Sequence, residues 1–236
     1  MPQRSQVPLE PRKTPVQARS AASVEAILDA TIQILLRLGK ERLTTTRVAL
    51  RAGVSVGTLY QYFPNKSALL QAALKRHLAE VTEAVELVCK EQEGETLRQM
   101  VTAVINSFLQ AKMGNARTSV ALYAVSSDVD GAKIAQQMRT RFNRAIVRML
   151  ATARDPLTTD PQLVASMLQG AMTGISRMML ESGAPEKHFD TLRRELISMA
   201  CAYLETCSGR VSVQSADAIG DADGEFSSAV LAAAHE

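Results

Sequence analysis

The chain has 236 residues with a formal net charge of +3, and 46% of them are hydrophobic although aromatic residues make up only 4%. An apolar fraction of this size is sufficient for a buried core, and a core of Leu, Ala, Val, Ile and Met favours packed helices over strands. No apolar run approaches the roughly 20 residues of a membrane span, and the first residues lack the apolar segment of a signal peptide. The three cysteines, Cys89, Cys201 and Cys207, have no metal-binding spacing and make a disulfide framework improbable, so a cytoplasmic location is expected.

The charge is distributed unevenly along the chain. Residues 1–66 contain ten basic and four acidic side chains, whereas the remaining residues contain 17 basic and 20 acidic ones. A basic N-terminal third on a slightly acidic body is typical of a module that binds a polyanion, although an ordinary solvated surface gives the same count.

The first third of the chain contains a polar segment followed by the starts of four predicted helices. Residues 1–19 are rich in proline and polar residues and indicate a flexible arm. From Val24 to Leu38 the apolar residues recur every three or four positions, which predicts an amphipathic helix ending at Gly39. Thr45, Ser55 and Asn65 are each followed by a helical pattern, and we expect these three residues to cap a second, third and fourth helix.

The rest of the chain continues the helical pattern. Apolar stripes predict helices over about 95–113, 117–126, 131–153, 162–181 and 186–206, and Asp160-Pro161 is a strong helix start. The sequence thus predicts an all-α fold. The expected parts are a flexible basic arm (1–19), a three-helix N-terminal domain (20–66), a larger helical domain (67–207) and a disordered acidic tail (208–236).

The stretch from Leu43 to Leu70, LTTTRVALRAGVSVGTLYQYFPNKSALL, carries the most specific signal. It resembles the DNA-binding domain of the TetR family of transcriptional regulators, with the family's order and spacing in AGVS, GTLY, the following YF and Lys66. The residues support a helix-turn-helix independently. Ala49 is small enough for two helices to touch, and Gly53 tolerates the positive φ of the turn. Val54 and Leu59 are expected to pack on the first helix.

The resemblance and the helical spacing together predict the DNA-contacting residues. They are Thr45, Thr46, Arg47, Ser55, Val56, Gly57, Thr58, Tyr60, Gln61, Tyr62 and Lys66. We assign Thr45, Tyr60 and Lys66 to phosphates and Val56, Gly57 and Gln61 to base edges in the major groove of double-stranded DNA. The basic residues of the arm, Arg12, Lys13 and Arg19, either follow the adjacent minor groove or only keep the chain soluble.

Two helices near the end of the chain are candidates for a homodimer interface. The stripe from Val164 to Met179 covers more than one side of its helix, which therefore needs two partners. The resemblance implies that the last two helices pack against their copies as a four-helix bundle, and a monomeric helix pair is the alternative. The expected interface residues are Val164, Met167, Met172, Ile175, Met179, Leu192, Leu196, Met199 and Tyr203.

The resemblance also implies a pocket for a small, largely hydrophobic effector in the body of the protein. Candidate lining residues are Phe108, Met113, Tyr123, Met138, Phe142 and Met149, with Arg117 or Arg139 as polar anchors. Met and aromatic residues at helical spacing are also common in a plain core. The expected function is that of a repressor released from a palindromic operator. A ligand-independent or partner-recruiting DNA-binding protein is the alternative, and activation in place of repression is open.

Catalysis and cofactor chemistry are not expected. The three histidines, His77, His188 and His235, are scattered, and no carboxylate or thiol stands at a motif spacing from them. His77 lies on the apolar side of the fourth helix and is interpreted as a residue at the edge of the core. Cys201 and Cys207 are interpreted as buried or incidental thiols rather than a redox pair. We therefore predict no enzyme activity, no cofactor and no metal.

Overall fold

The computed structural model describes residues 18–182 and 187–208, and this part of the chain consists of helices joined by short loops. These residues contain nine α-helices, one short 3-10 helix and no β-strand. The helices are α1 (Ala18–Arg42), α2 (Thr45–Ala52), α3 (Val56–Tyr62), α4 (Lys66–Glu91), α5 (Leu97–Met113), α6 (Ala116–Ala124), the 3-10 helix η1 (Ser126–Asp128), α7 (Gly131–Leu150), α8 (Pro161–Glu181) and α9 (Phe189–Cys207). The all-α prediction is confirmed. Within the described part of the chain, no helix is both long and apolar enough to cross a lipid bilayer.

Most helices begin where a side chain can accept a hydrogen bond from the first free backbone N–H groups. Asn65 caps α4 by accepting from the N–H of Ala68 at 2.8 Å, and Asp160 caps α8 with Pro161 as the first helical residue. Both starts were predicted. α1 is interrupted at Gly39, whose φ of 74° is non-helical, so the main body of this helix ends where the sequence indicated.

Two hydrophobic cores are stacked along the long helix α4. The first core contains buried residues of α1, α2 and α3 together with the first two turns of α4. The second core contains the C-terminal half of α4 and residues of α5, α7, α8 and α9. Since α4 is continuous, both cores share one rigid element.

The first core extends beyond residues 20–66. Leu70 and Leu74 of α4 are buried in it, and so are Leu122, Val125 and Val129 from the region of α6 and η1. α1, α2 and α3 do not enclose all of their apolar surface by themselves, so residues of α4 and of the region of α6 and η1 cover the remaining face. The predicted boundary between the two domains, at residue 66, therefore lies inside a packed core and not in a linker.

The predicted arm and tail fall almost entirely outside the described residues. Ala18 and Arg19, assigned to the arm, belong to the first turn of α1, and Ser208 follows α9 directly. The predictions for residues 1–17 and 209–236 therefore remain predictions.

Candidate nucleic-acid interface and ligand cavity

The helix-turn-helix is fixed by caps at three consecutive points. The hydroxyl of Thr44 accepts from the N–H of Arg47 at 3.3 Å, so Thr44 caps α2 and the expected cap Thr45 is wrong by one residue. Gly53 ends α2 in the left-handed region with a φ of 68°. Ser55 caps α3, as predicted, by accepting from the N–H of Thr58 at 2.9 Å. These local bonds set the angle at which α3 leaves the turn.

The inward side of the helix-turn-helix is packed firmly. Val48, Ala49 and Leu59 are almost completely buried, and Val54 is partly buried against the same core. This fits the packing roles predicted for Ala49, Val54 and Leu59. A buried inner side leaves the opposite side of α3 for a partner.

The outward side of α3 is open to solvent along its whole length. The exposed residues are Ser55, Val56, Gly57, Tyr60 and Gln61. Thr58 is half-buried, and its hydroxyl oxygen lies 2.8 Å from that of Ser55 in a hydrogen bond. An exposed helix of this size fits the major groove of B-form DNA.

Tyr62 does not belong to this surface. Its side chain is only 9% exposed and packs in the first core beside Phe63. Tyr62 lies with Leu59 on the inward side of α3, whereas Tyr60 and Gln61 face outward, so its burial contradicts the prediction that Tyr62 contacts DNA.

The start of α2 lies next to the middle of α3. The hydroxyl groups of Thr45 and Tyr60 are 3.1 Å apart, which places these two predicted phosphate contacts side by side. Thr46 and Arg47 are exposed in the same turn of α2, and Arg47 donates to the carbonyl of Arg42 at 2.6 Å. The structure thus brings the predicted contacts from both helices together on one face.

Three cations of this region, Arg47, Arg51 and Lys66, donate to neutral oxygen atoms. Lys66 is half-buried and donates to the carbonyl of Lys40, and Arg51 donates to the amide oxygen of Gln33 at 2.7 Å. Among residues 18–182 and 187–208, no carboxylate forms an ion pair with Arg47, Arg51 or Lys66. Their charges remain available for phosphate groups.

A cavity of about 530 Å³ lies in the body, between α4, α5, α6, α7 and α8. Its volume is within the range of about 300–1,000 Å³ that is usual for small-molecule sites. The residues that line it are Leu78, Val81, Thr82, Phe108, Lys112, Val120, Tyr123, Ala124, Ser126, Ala135, Met138, Arg139, Phe142, Gln169, Thr173, Arg177, Leu180 and Glu181.

The predicted pocket residues divide into two groups. Phe108, Tyr123, Met138, Phe142 and Arg139 line the cavity. The other three predictions are wrong: Met113, Arg117 and Met149 are not part of the lining. Arg117 faces solvent, and Met149 is buried in the second core.

Lys112 is the lining residue that sequence reasoning missed. Its side chain is only 4% exposed, and its ammonium donates a hydrogen bond to the Tyr123 hydroxyl. Lys112 follows Phe108 by one helical turn and therefore lies on the buried side of α5. This spacing, a lysine on an apolar stripe, is the signal that could have identified it.

Four residues predicted for the dimer interface are buried within the single chain. Val164, Met172, Met179 and Leu196 are at most 2% exposed, so a second copy cannot reach them and these assignments are wrong. Met167 and Met199 are 56% and 49% exposed, and Ile175, Leu192 and Tyr203 are half-buried. Leu163 and Met178, which were not in the predicted set, add exposed apolar surface to the same helix α8.

Two family models match successive segments of the chain, and each segment contains much of one of the two cores. Residues 27–73 match "Bacterial regulatory proteins, tetR family", and residues 96–204 match "Tetracyclin repressor-like, C-terminal domain". The first segment contains α2 and α3 with parts of α1 and α4, and the second contains most of the cavity lining.

Among curated proteins, the HTH-type transcriptional repressor KstR of Mycolicibacterium smegmatis is 49% identical over 55 residues, which is 23% of this chain and 27% of that protein. The matched segment thus spans about a quarter of that relative. The "Fatty acid metabolism regulator protein" of Bacillus subtilis is 22% identical over 154 residues, covering 65% of this chain and 75% of the relative.

Among solved structures, a TetR-family transcriptional regulator from Mesorhizobium loti superposes with a TM-score of 0.67 at 18% identity, covering 80% of this chain and 98% of the other. This likeness concerns the fold. Because the two family models match successive parts of the chain and the described helices have the same architecture, the protein belongs to the TetR family of bacterial transcriptional regulators.

Proposed function

We propose that this regulator is a homodimeric repressor that binds a palindromic operator through α3 and is released by a small, largely hydrophobic effector. The observation that carries the proposal is the combination, in one chain, of an exposed α3 and a separate cavity joined by α6. The repressor function of the KstR relative supports the direction of regulation, since its similarity lies in the DNA-binding segment.

The exposed residues of α3 divide by chemistry into two roles. Val56 offers a methyl contact to thymine, Gln61 offers a donor and an acceptor to adenine, and Gly57 permits close approach of the backbone. Thr45, Tyr60 and Lys66 provide hydroxyl or ammonium groups for phosphates, which fix the register of the protein on the duplex. Few direct base contacts are available, so DNA shape contributes to the choice of site.

α6 is suited to carry the effector signal because it contributes to both sites. Val120 and Tyr123 line the cavity, whereas Leu122 and Val125 at the end of the helix are buried in the first core. A ligand that displaces Tyr123 therefore also displaces residues that support the DNA-binding helices.

Two polar contacts strengthen this link at the end of α6. Lys40, at the end of α1, forms an ion pair with Asp128 of η1 at 2.6 Å. The side chain of Gln71 on α4 donates to the carbonyl of Val129 at 3.3 Å. Both contacts join the helix-turn-helix region to the segment that follows the cavity.

The test is a gel shift with the DNA that flanks the protein's own gene, at several salt concentrations. We expect a site bound in preference to random duplex, with an affinity that falls steeply as salt increases. Gln61→Ala should cost roughly 1–3 kcal/mol at one base position, whereas Tyr60→Ala and Lys66→Ala should weaken binding to all sequences alike. Lys90→Ala, an exposed lysine at the far end of α4, is the matched control and should bind normally.

Equal affinity for random duplex at moderate salt would contradict the proposal. Retained site preference in Gln61→Ala would contradict only the base assignment. A regulator that binds its site but is released by no small molecule would be the ligand-independent, partner-recruiting alternative.

A further inference from the structure

The inner part of the cavity is strongly apolar. Phe108 and Phe142 form an edge-to-face pair with ring centroids 5.6 Å apart, and Met138, Val81 and Leu180 are buried around them. Such a surface favours hydrocarbon, because none of these five side chains carries a hydrogen-bonding nitrogen or oxygen atom. The tail of a ligand in this region is therefore aliphatic or aromatic.

One cation is buried at the edge of this apolar region. The Lys112 ammonium lies 4.5 Å from the centroid of the Tyr123 ring and donates to the hydroxyl of the same residue. Within the part of the chain that the structure describes, no carboxylate forms an ion pair with it. A buried ammonium with only neutral partners is costly, because a phenol hydroxyl and a ring face replace only part of its hydration.

The other charged groups of the cavity differ from Lys112 in their exposure. Arg139, Arg177 and Glu181 are exposed, and Arg177 is already paired with Glu181 at 2.7 Å. The lining therefore has three cations and one carboxylate, and that carboxylate is neutralised at the surface. The unbalanced charge next to the apolar interior is positive.

We propose that the effector is an amphipathic organic anion with a terminal carboxylate. The carboxylate accepts hydrogen bonds from the Lys112 ammonium and the Tyr123 hydroxyl, and the apolar tail packs between Phe108, Phe142 and Met138. Tyr123 currently accepts from Lys112, so its own hydroxyl proton is available to donate to the ligand. This inference rests on the proposed role of the cavity as the effector site.

The proposal is tested by calorimetric titration of the full chain with three amphiphiles that each contain a ten-carbon chain. They are decanoate, 1-decanol and decyltrimethylammonium, whose head groups are anionic, neutral and cationic. We expect decanoate to bind roughly 10- to 100-fold more tightly than decanol, as for a hydrogen bond between charged groups, and the cation to bind most weakly.

Substitutions then assign the preference to Lys112. Lys112→Met should abolish the advantage of decanoate while leaving decanol binding within about twofold, because methionine keeps the apolar volume without the charge. Tyr123→Phe should reduce the advantage less. Lys133→Met, at an exposed lysine of α7 outside the lining, is the matched control and should leave the preference unchanged.

A second measurement follows the ligand itself. With decanoate labelled with ¹³C at its carboxyl carbon, the NMR shift of the bound ligand reports the carboxyl pKa. A neighbouring ammonium favours the ionised form, so this pKa should fall on binding to the wild-type chain and should not fall on binding to Lys112→Met. A lysine that only supports the fold would not change this titration.

Equal binding of decanoate and decanol to the wild-type chain, or tighter binding of the cation, would overturn the anionic class. Failure of all three amphiphiles to bind a folded chain would overturn it as well. Neither result affects operator binding, which the gel shift measures separately. An anion that binds with the expected preference but does not release DNA would support this inference and contradict effector-controlled release.

Discussion

His77 shows at the scale of one residue what packing adds to a sequence pattern. Its place on the apolar side of α4 indicated the edge of the core, but it is only 4% exposed and its Nε2 lies 2.9 Å from the Ser119 hydroxyl. Ser119 in turn donates to the carbonyl of Lys112 at 3.1 Å. Desolvation, followed by the charges of Lys112 and Arg76, lowers the pKa of His77 to about 4. The neutral ring therefore joins α4 to α6.

Acid should destabilise the protein through His77. Because the pKa in the folded chain is below the unfolded value of about 6.5, the unfolded chain binds the proton more readily, and stability falls as the pH decreases from about 6.5 to about 4. The full loss is roughly 3 kcal/mol. In His77→Gln this part of the pH dependence should disappear, as measured by urea unfolding at pH 7 and pH 4.5 at fixed protein concentration. An unchanged difference between the two pH values would argue against a neutral buried imidazole.

A substitution at Gly57 is expected to affect DNA binding without disturbing the fold. A Cβ at this position would meet only the Ser55 hydroxyl oxygen at 3.7 Å, an ordinary contact. Gly57→Ala should therefore preserve the fold and gain up to about 1 kcal/mol in stability from its higher helix propensity. If the backbone of α3 approaches the bases closely, operator affinity should nevertheless fall at least tenfold. A variant of normal affinity would show that no close approach occurs at Gly57.

At the scale of helices, the sequence predicted nearly all elements because their starts and ends depend on neighbouring residues. Ser55, Asn65 and Asp160 cap the helices expected of them. The cap of α2 was misplaced because Thr44 and Thr45 are adjacent and have the same side chain, and only the backbone conformation distinguishes them. The sequence could not predict which apolar residues of α8 are buried and which are exposed, since this helix is apolar on two sides.

The turn between α2 and α3 depends on Gly53. Its φ of 68° is strained for residues with a Cβ, although no atom would obstruct that Cβ within 4 Å. Gly53→Ala should cost about 1–2 kcal/mol in unfolding free energy, whereas Gly53→Asn, which tolerates the left-handed region, should cost less. Thermal or urea unfolding of both variants measures the difference. Equal losses would mean that backbone conformation is not the cause.

For the whole molecule, packing shows which apolar residues of α8 and α9 are exposed. The sequence-based set contained both core and exposed residues of α8 and α9, because a stripe pattern does not show which side a neighbouring helix covers. In the structure, Met167 and Met199 remain exposed while Met172 and Leu196 are enclosed. The cavity could be predicted only in part. Its aromatic residues were recognisable from their type, whereas Lys112 was not considered because lysine is usually exposed.

Dimerisation should therefore depend on the exposed residues of α8 and α9. The double variant Met167→Glu, Met199→Glu should be monomeric, because it places charge within the apolar surface proposed for the interface. Leu87→Glu, at an apolar residue of α4 that is 60% exposed, is the control and should remain dimeric. Light scattering after size-exclusion chromatography gives the mass of each. A dimeric double variant would place the interface elsewhere.

The uninterrupted course of α4 through both cores has a mechanical consequence. A helix of 26 residues is about 39 Å long, so a tilt of only about 5° at one end moves the other by roughly 3 Å. Successive half-sites on DNA recur about every 34 Å, and two such lever arms in one dimer would add their displacements. A molecule bound beside the C-terminal half of α4 would thus shift the distance between the two DNA-binding helices of a dimer away from the repeat of the duplex, while both cores stay folded.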